Sequence, residues 1–296
     1  MSTSITTAFI ADYEAAVHHL FQRRGGILRQ AVRTKDNVVG STTTFQVIGK
    51  GTATTKSRHG TITPMNQAHT TAVATLADFY AGDYVDRLDE AKVNIDERDA
   101  IAMGGAWALG RKCDDQIITA LDTTSEAVIP ITVTSANAVR NGLLDIVRSL
   151  DANDVPNDGQ RYAALTPKMW EHAMTVASFS DADFIGVGNL PYTEGAPILT
   201  WKRWNGVMWT VHSGLPGIDS ATAKVFAWHK SSVGYATGAV PMNQASSGGP
   251  VAADIWWNGE RAAHFVNHWM SGGAVLIESA GVIEGNYDDT AAVATS

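Results

Sequence analysis

A stretch of 35 residues near the N-terminus constrains this chain more than any other feature. Between positions 41 and 75, eleven residues are threonine and large apolar side chains are scarce. Thr43, Phe45 and Val47 alternate with Thr44 and Gln46, the two-residue period of a strand, and threonine suits a pleated backbone. Gly49 to Gly60 reads as a glycine-bounded hairpin tip carrying Lys50, Lys56 and Arg58. A long two-stranded ribbon with no buried face is marginally stable on its own. It is therefore expected to lie on something else.

Charge suggests what that could be. The net charge is −8, but residues 1–60 hold eight basic side chains against three acids, leaving 14 − 27 = −13 for residues 61–296. Such opposition suits head-to-tail contacts between copies; two ordinary solvated surfaces would give the same count. A dedicated DNA binder usually has a basic domain, whereas this body is acidic. No apolar run approaches the ~20 residues that cross a bilayer, and the N-terminus has no signal-peptide pattern. The single cysteine, Cys113, excludes an internal disulfide framework and fits a reducing cytoplasm.

The remaining chain reads as α+β, helices first and strands afterwards. An amphipathic helix is expected over residues 6–23, ended by Gly25-Gly26, and a strand over 72–86. The longest helix signal covers 96–121. Its apolar stripe is Ala102, Ala106, Leu109, Cys113, Ile117 and Ala120, with Asp114 and Asp115 placed off it. Gly104, Gly105 and Gly110 weaken this helix by ~1 kcal/mol each relative to alanine, which suggests close packing. A second helix follows over 135–150 with Ser135 as N-cap. A strand is expected over 162–165, then a helix opening at Thr166-Pro167. From about 198 onward the signals are β: 198–204, 207–212, 223–237, 251–257 and 273–287, with glycine in the turns, as at Asn205-Gly206 and Asn258-Gly259.

Candidate chemistry is sparse. His264 and His268 have i, i+4 spacing but lack the glutamate of the zinc-protease pattern, and their context reads as strand. Gly49-Lys50-Gly51 fails the phosphate-loop pattern twice. Asp151 to Gly159 resembles a calcium loop, but Val155 stands where an oxygen is needed. Seven of nine tryptophans lie between Trp201 and Trp269. They leave open a carbohydrate-binding surface beside the plainer reading of core rings. No catalytic, cofactor or metal residue is assigned.

Several segments are similar to those of tailed-bacteriophage coat proteins. They are Phe21-Gln-Arg-Arg-Gly-Gly-Ile-Leu-Arg-Gln-Ala-Val32 and Ala108-Leu-Gly-Arg-Lys-Cys-Asp-Asp-Gln-Ile-Ile-Thr-Ala-Leu121. Further on come Leu165-Thr-Pro-Lys-Met-Trp170 with Phe184-Ile-Gly186, and then Val225-Phe-Ala-Trp-His-Lys-Ser-Ser-Val-Gly-Tyr-Ala-Thr-Gly238. The last is Met270-Ser-Gly-Gly-Ala-Val-Leu-Ile-Glu278. In order and over residues 5–288, they resemble the Hong Kong 97-type major capsid protein.

The resemblance implies an α+β fold with an N-terminal arm (1–40) and an extended hairpin loop, or E-loop (41–71). A peripheral domain with the spine helix follows (72–134, helix 96–121), then a mainly axial domain (135–268). A strand returning to the peripheral domain (269–288) and a flexible tail (289–296) complete it. It implies a subunit of an icosahedral, DNA-filled head built from hexamers and pentamers around a portal protein, assembled in the bacterial cytoplasm and resident in the virion. No long extension precedes the arm, so a separate scaffolding protein is expected, and a decoration protein is compatible. No cofactor, membrane role or covalent crosslink is expected, and contact with double-stranded DNA should be weak and nonspecific. The expected contact residues are Lys50, Lys56 and Arg58 in the E-loop and Arg23, Arg24, Arg29 and Arg33 in the arm, with Leu109, Cys113 and Ile117 as the spine-helix core. The alternatives are a phage-borne carbohydrate-binding protein using the tryptophan-rich β region and a metal-dependent hydrolase using His264 and His268.

Overall fold

The computed structural model describes residues 25–86, 97–180, 201–239 and 252–292. The helix expected over 6–23, Arg23, Arg24, Phe184-Ile-Gly186 and the last four residues lie outside them. The first strands are β1 (Arg33–Val38), β2 (Thr42–Ile48), β3 (His69–Thr75) and β4 (Ala77–Asp86). Helix α1 (Glu97–Leu121) follows, then β5 (Ile129–Pro130), α2 (Ala136–Ala152), β6 (Arg161–Leu165), α3 (Pro167–Met174) and the short α4 (Ala177–Ser180). The chain continues with β7 (Lys202–Trp204), β8 (Val207–Val211), β9 (Ala223–His229) and β10 (Val233–Gly238). It ends with β11 (Ala252–Asn258), β12 (Ala263–Leu276) and β13 (Val282–Tyr287).

Local chemistry sets the helix starts. Ser135 caps α2 by accepting from the Ala138 N–H at 3.2 Å, and Thr166 caps α3 by accepting from Met169 at 3.1 Å, with Pro167 in the first turn. Every apolar position expected on α2 is buried: Val139, Leu143, Ile146, Val147 and Leu150.

The described residues form two compact units, one drawn from 78–86, 97–112 and 252–271 and the other from 26–77, 113–180, 201–238 and 272–292. Helix α1 and strand β12 each contribute residues to both. In the first unit, β11 pairs antiparallel with the start of β12. In the second, a six-stranded sheet runs β5-β13-β9-β6-β8-β7. Leu143 and Ile146 of α2, Met169 of α3, Trp209 of β8 and Val225 of β9 share one buried cluster there. Strand β1 pairs parallel with β10, and β10 pairs antiparallel with the end of β12. The β7–β8 hairpin turns at Asn205 and Gly206, with φ of 47° and 76°, the left-handed pair a two-residue turn requires.

Four expectations are corrected. The strand signal over 72–86 is two strands: the backbone changes partners at Leu76, whose N–H donates to Ser41. The signals over 223–237 and 273–287 also divide, at the 3-10 turns Lys230–Ser232 and Ser279–Gly281. Ala106, expected on the buried stripe of α1, is exposed. As expected, Asp151–Gly159 is a turn rather than a calcium loop, and it folds around a side chain. The buried Arg161 guanidinium reaches Asp151 at 2.7 Å and donates to the Pro156 carbonyl at 3.0 Å and to that of Val155.

Candidate assembly surfaces

The threonine-rich ribbon is antiparallel, with Thr42 opposite Thr75 and Ile48 opposite His69. Contrary to expectation, its base has a buried face. Thr43, Phe45 and Ala74 are buried, and Phe45 and Ala74 cluster with Ala236 of β10. The Phe45 ring lies over Gly234, where a Cβ would come within 2.7 Å of it, and the Arg33 guanidinium sits 5.6 Å from its centroid. Strand alternation explains this: Thr43, Phe45 and Val47 share one face of β2, buried at Thr43 and Phe45, while Ile48 and Val73 lie exposed on the other. The tip differs. Residues 49–68 include Lys50, Lys56 and Arg58 and no acid. Ile62 and Met65 are 77% and 51% exposed. Lys50 pairs with Asp154 on its own chain, both exposed. Lys56 and Arg58 lie exposed without an ion-pair partner among the described residues.

The described end of the arm is clamped to the subunit. Asp114, fully buried, accepts from the backbone N–H of Gly26 and Leu28 at 3.0 Å each and faces the His212 Nε2 at 3.5 Å. The Trp228 indole donates to the Ala31 carbonyl at 2.8 Å. Arg29 is tied to Asp36 at 2.7 Å, and Asp36 also accepts from Thr237 at 2.8 Å. Asp114 escaped sequence reading because an acid beside Asp115 was placed with solvent. The signal was the row Gly110, Asp114, Ile117, Leu121, spaced for one helix face.

Leu109, Cys113 and Ile117 are all buried. Burial pushes the Cys113 thiol up to about 11, despite the Tyr235 hydroxyl bonding to it. The two histidines of the metal reading are not brought together. His264 and His268 lie four residues apart on β12, roughly 13 Å along a strand. His264 packs against Trp257, and His268 is buried beside Gly105. No cluster of metal-binding side chains occurs among the described residues. Trp204, Trp209 and Trp228 are core rings, whereas Trp256 and Trp257 are 42% and 45% exposed.

A family model described as phage capsid protein matches residues 5–289, nearly the whole chain. The chain belongs to the phage capsid protein family. Solved capsid structures share its fold at low identity. The capsid of cyanophage P-SCSP1u aligns with a TM-score of 0.73 and 16% identity, covering 97% of this chain and 95% of that one. A solved structure from Mycobacterium phage Che8 gives 0.70 and 15%, covering 94% and 97%. The capsid of a native GTA particle gives 0.71 and 11%, covering 97% of each chain. No curated protein sequence matches. The subunit thus has the Hong Kong 97-type α+β fold and a structural role in the phage head shell, and the virion capsid is its place.

Proposed function

We propose that this subunit assembles as hexamers and pentamers into an icosahedral shell around packaged double-stranded DNA, without catalysis. The shell is assembled in the host cytoplasm with a portal and a separate scaffolding protein. The family match over residues 5–289 carries this reading. The ribbon supplies its physical logic: anchored at Phe45, it extends a basic, acid-free tip with exposed Ile62 and Met65. Such a tip fits the acidic surface of an adjacent copy. Many modest contacts of this kind, repeated around a closed shell, give stability by multivalency. DNA contact is confined to basic residues of the arm such as Arg29 and Arg33, or of the segment before the E-loop such as Lys35, and is weak enough to fade with salt.

Negative-stain electron microscopy of the purified chain, with and without co-expressed scaffold, tests the reading. Closed shells of uniform size are expected. A chain that stays monomeric under both conditions overturns it.

A further inference from the structure

Arg140 of α2 and Arg203 of β7 line one open cavity of about 550 Å³, together with Leu144, Ser178 and Trp204. Both guanidiniums are exposed, and neither has an ion-pair or hydrogen-bond partner among the described residues. The Ser178 hydroxyl is shielded from water and also has no hydrogen-bond partner among the described residues, a state that buried polar groups rarely keep. One wall is fixed, because the Trp204 indole donates to the Ser178 carbonyl at 2.7 Å. Lys202, beside Arg203 in sequence, is buried with its ammonium 4.0 Å from the Phe179 ring centroid. Burial pushes that ammonium down to about 8. Acids outnumber bases 30 to 22 in this chain, yet the residues lining this cavity include none.

From this geometry we infer that the Arg140–Arg203 cavity receives a carboxylate side chain from a second copy of this protein. The inference rests on the shell reading. Two guanidinium forks match a carboxylate's two oxygens. Leu144 and Trp204 offer apolar walls for the methylene groups of an aspartate or glutamate. A neighbouring copy brings carboxylates in excess, with 27 acids against 14 bases in residues 61–296. A DNA backbone would favour an extended basic stripe over an isolated pair of arginines.

Arginine modification by phenylglyoxal, mapped by mass spectrometry, compares free subunits with shells. Arg140 and Arg203 are expected to react in the subunit and to lose that reactivity in both empty and DNA-filled shells. Equal reactivity in subunit and shell sinks the inference, and protection confined to filled shells assigns the cavity to DNA. A second measurement uses Arg203→Lys shells built from mixed heavy- and light-isotope subunits and treated with a carbodiimide. An amide joining the new lysine to an aspartate or glutamate of the other isotope supports the inference; links only within one copy overturn it. Should Arg203→Lys not assemble, the phenylglyoxal comparison on the unaltered chain still decides. Arg140→Glu with Arg203→Glu should abolish shells while leaving the subunit's circular dichroism unchanged. Shells at normal yield from that variant sink this inference alone, whereas no shells from the unaltered chain sink the shell reading and this inference with it.

Discussion

Cys113 and His172 are both governed by burial, with different consequences. Cys113 is 5% exposed and its thiol is raised to about 11, so almost none is thiolate at neutral pH. A chromogenic thiol reagent should therefore leave the native subunit unlabelled and react within minutes in denaturant; rapid native labelling would contradict the packing of α1. His172 of α3 is 1% exposed, and neither ring nitrogen has a hydrogen-bond partner among the described residues. Desolvation, then the nearby Lys168, lowers its pKa, against the opposing pull of Glu171 and Asp289. With the folded pKa below the unfolded value of 6.5, the unfolded chain binds the proton more readily. The stability that neutral His172 supplies is present above that value and is lost as pH falls through the folded pKa. Thermal melts should thus show Tm falling from pH 7 to pH 5 in the unaltered chain and falling less in His172→Leu. Cys113 was legible from its helical stripe. That no described residue hydrogen-bonds to His172 was not, because no spacing rule reports the polarity of tertiary neighbours.

Within elements, the periodic signals were readable and changes of partner were not. Helix α2 and the caps at Ser135 and Thr166 follow from apolar spacing and local side-chain acceptors, which act within a few residues. Strand breaks at Leu76 and at Ser279–Gly281 depend on which distant strand takes over the hydrogen bonds, and an unbroken apolar run does not disclose that. The glycines of α1 show the same divide. Gly110 meets the backbone of Gly25, where an added Cβ on Gly25 would lie 1.8 Å from the Gly110 carbonyl carbon. Gly105 faces the His268 ring, with a Cβ there 2.7 Å from Nδ1, whereas Gly104 meets nothing within 4 Å. Close packing was expected of all three glycines and holds for two. Gly104→Ala should therefore stabilise the subunit by up to ~1 kcal/mol through helix propensity. Gly25→Ala should destabilise it, because backbone must move. Urea denaturation of the two variants checks the opposite signs; equal effects would show that the crossing at Gly110 is loose.

For the whole molecule, the ribbon has a base that belongs to the subunit's fold and a tip that we propose serves contacts between copies. Its base is part of the subunit core: Phe45 is 2% exposed and packs with Ala74 and Ala236. Phe45→Ala should cost the isolated subunit ~3–5 kcal/mol. Its tip is not part of that core, since Thr52–His59 are all exposed and Gly49 closes the ladder by donating to the Ala68 carbonyl at 2.7 Å. The ribbon's existence was legible from threonine and glycine placement, but its anchoring was not, because one phenylalanine among eleven threonines carries it. Replacing Thr52–His59 with a short Gly-Ser linker should leave a folded subunit whose Tm is close to that of the unaltered chain. That variant should build no closed shells, and Lys56→Glu with Arg58→Glu should weaken assembly by turning attraction to an acidic neighbour into repulsion. Melting curves and electron microscopy on the same preparations distinguish the outcomes. A linker variant that unfolds would place the tip in the subunit's own core. A linker variant that assembles normally would remove the tip from the contacts between copies.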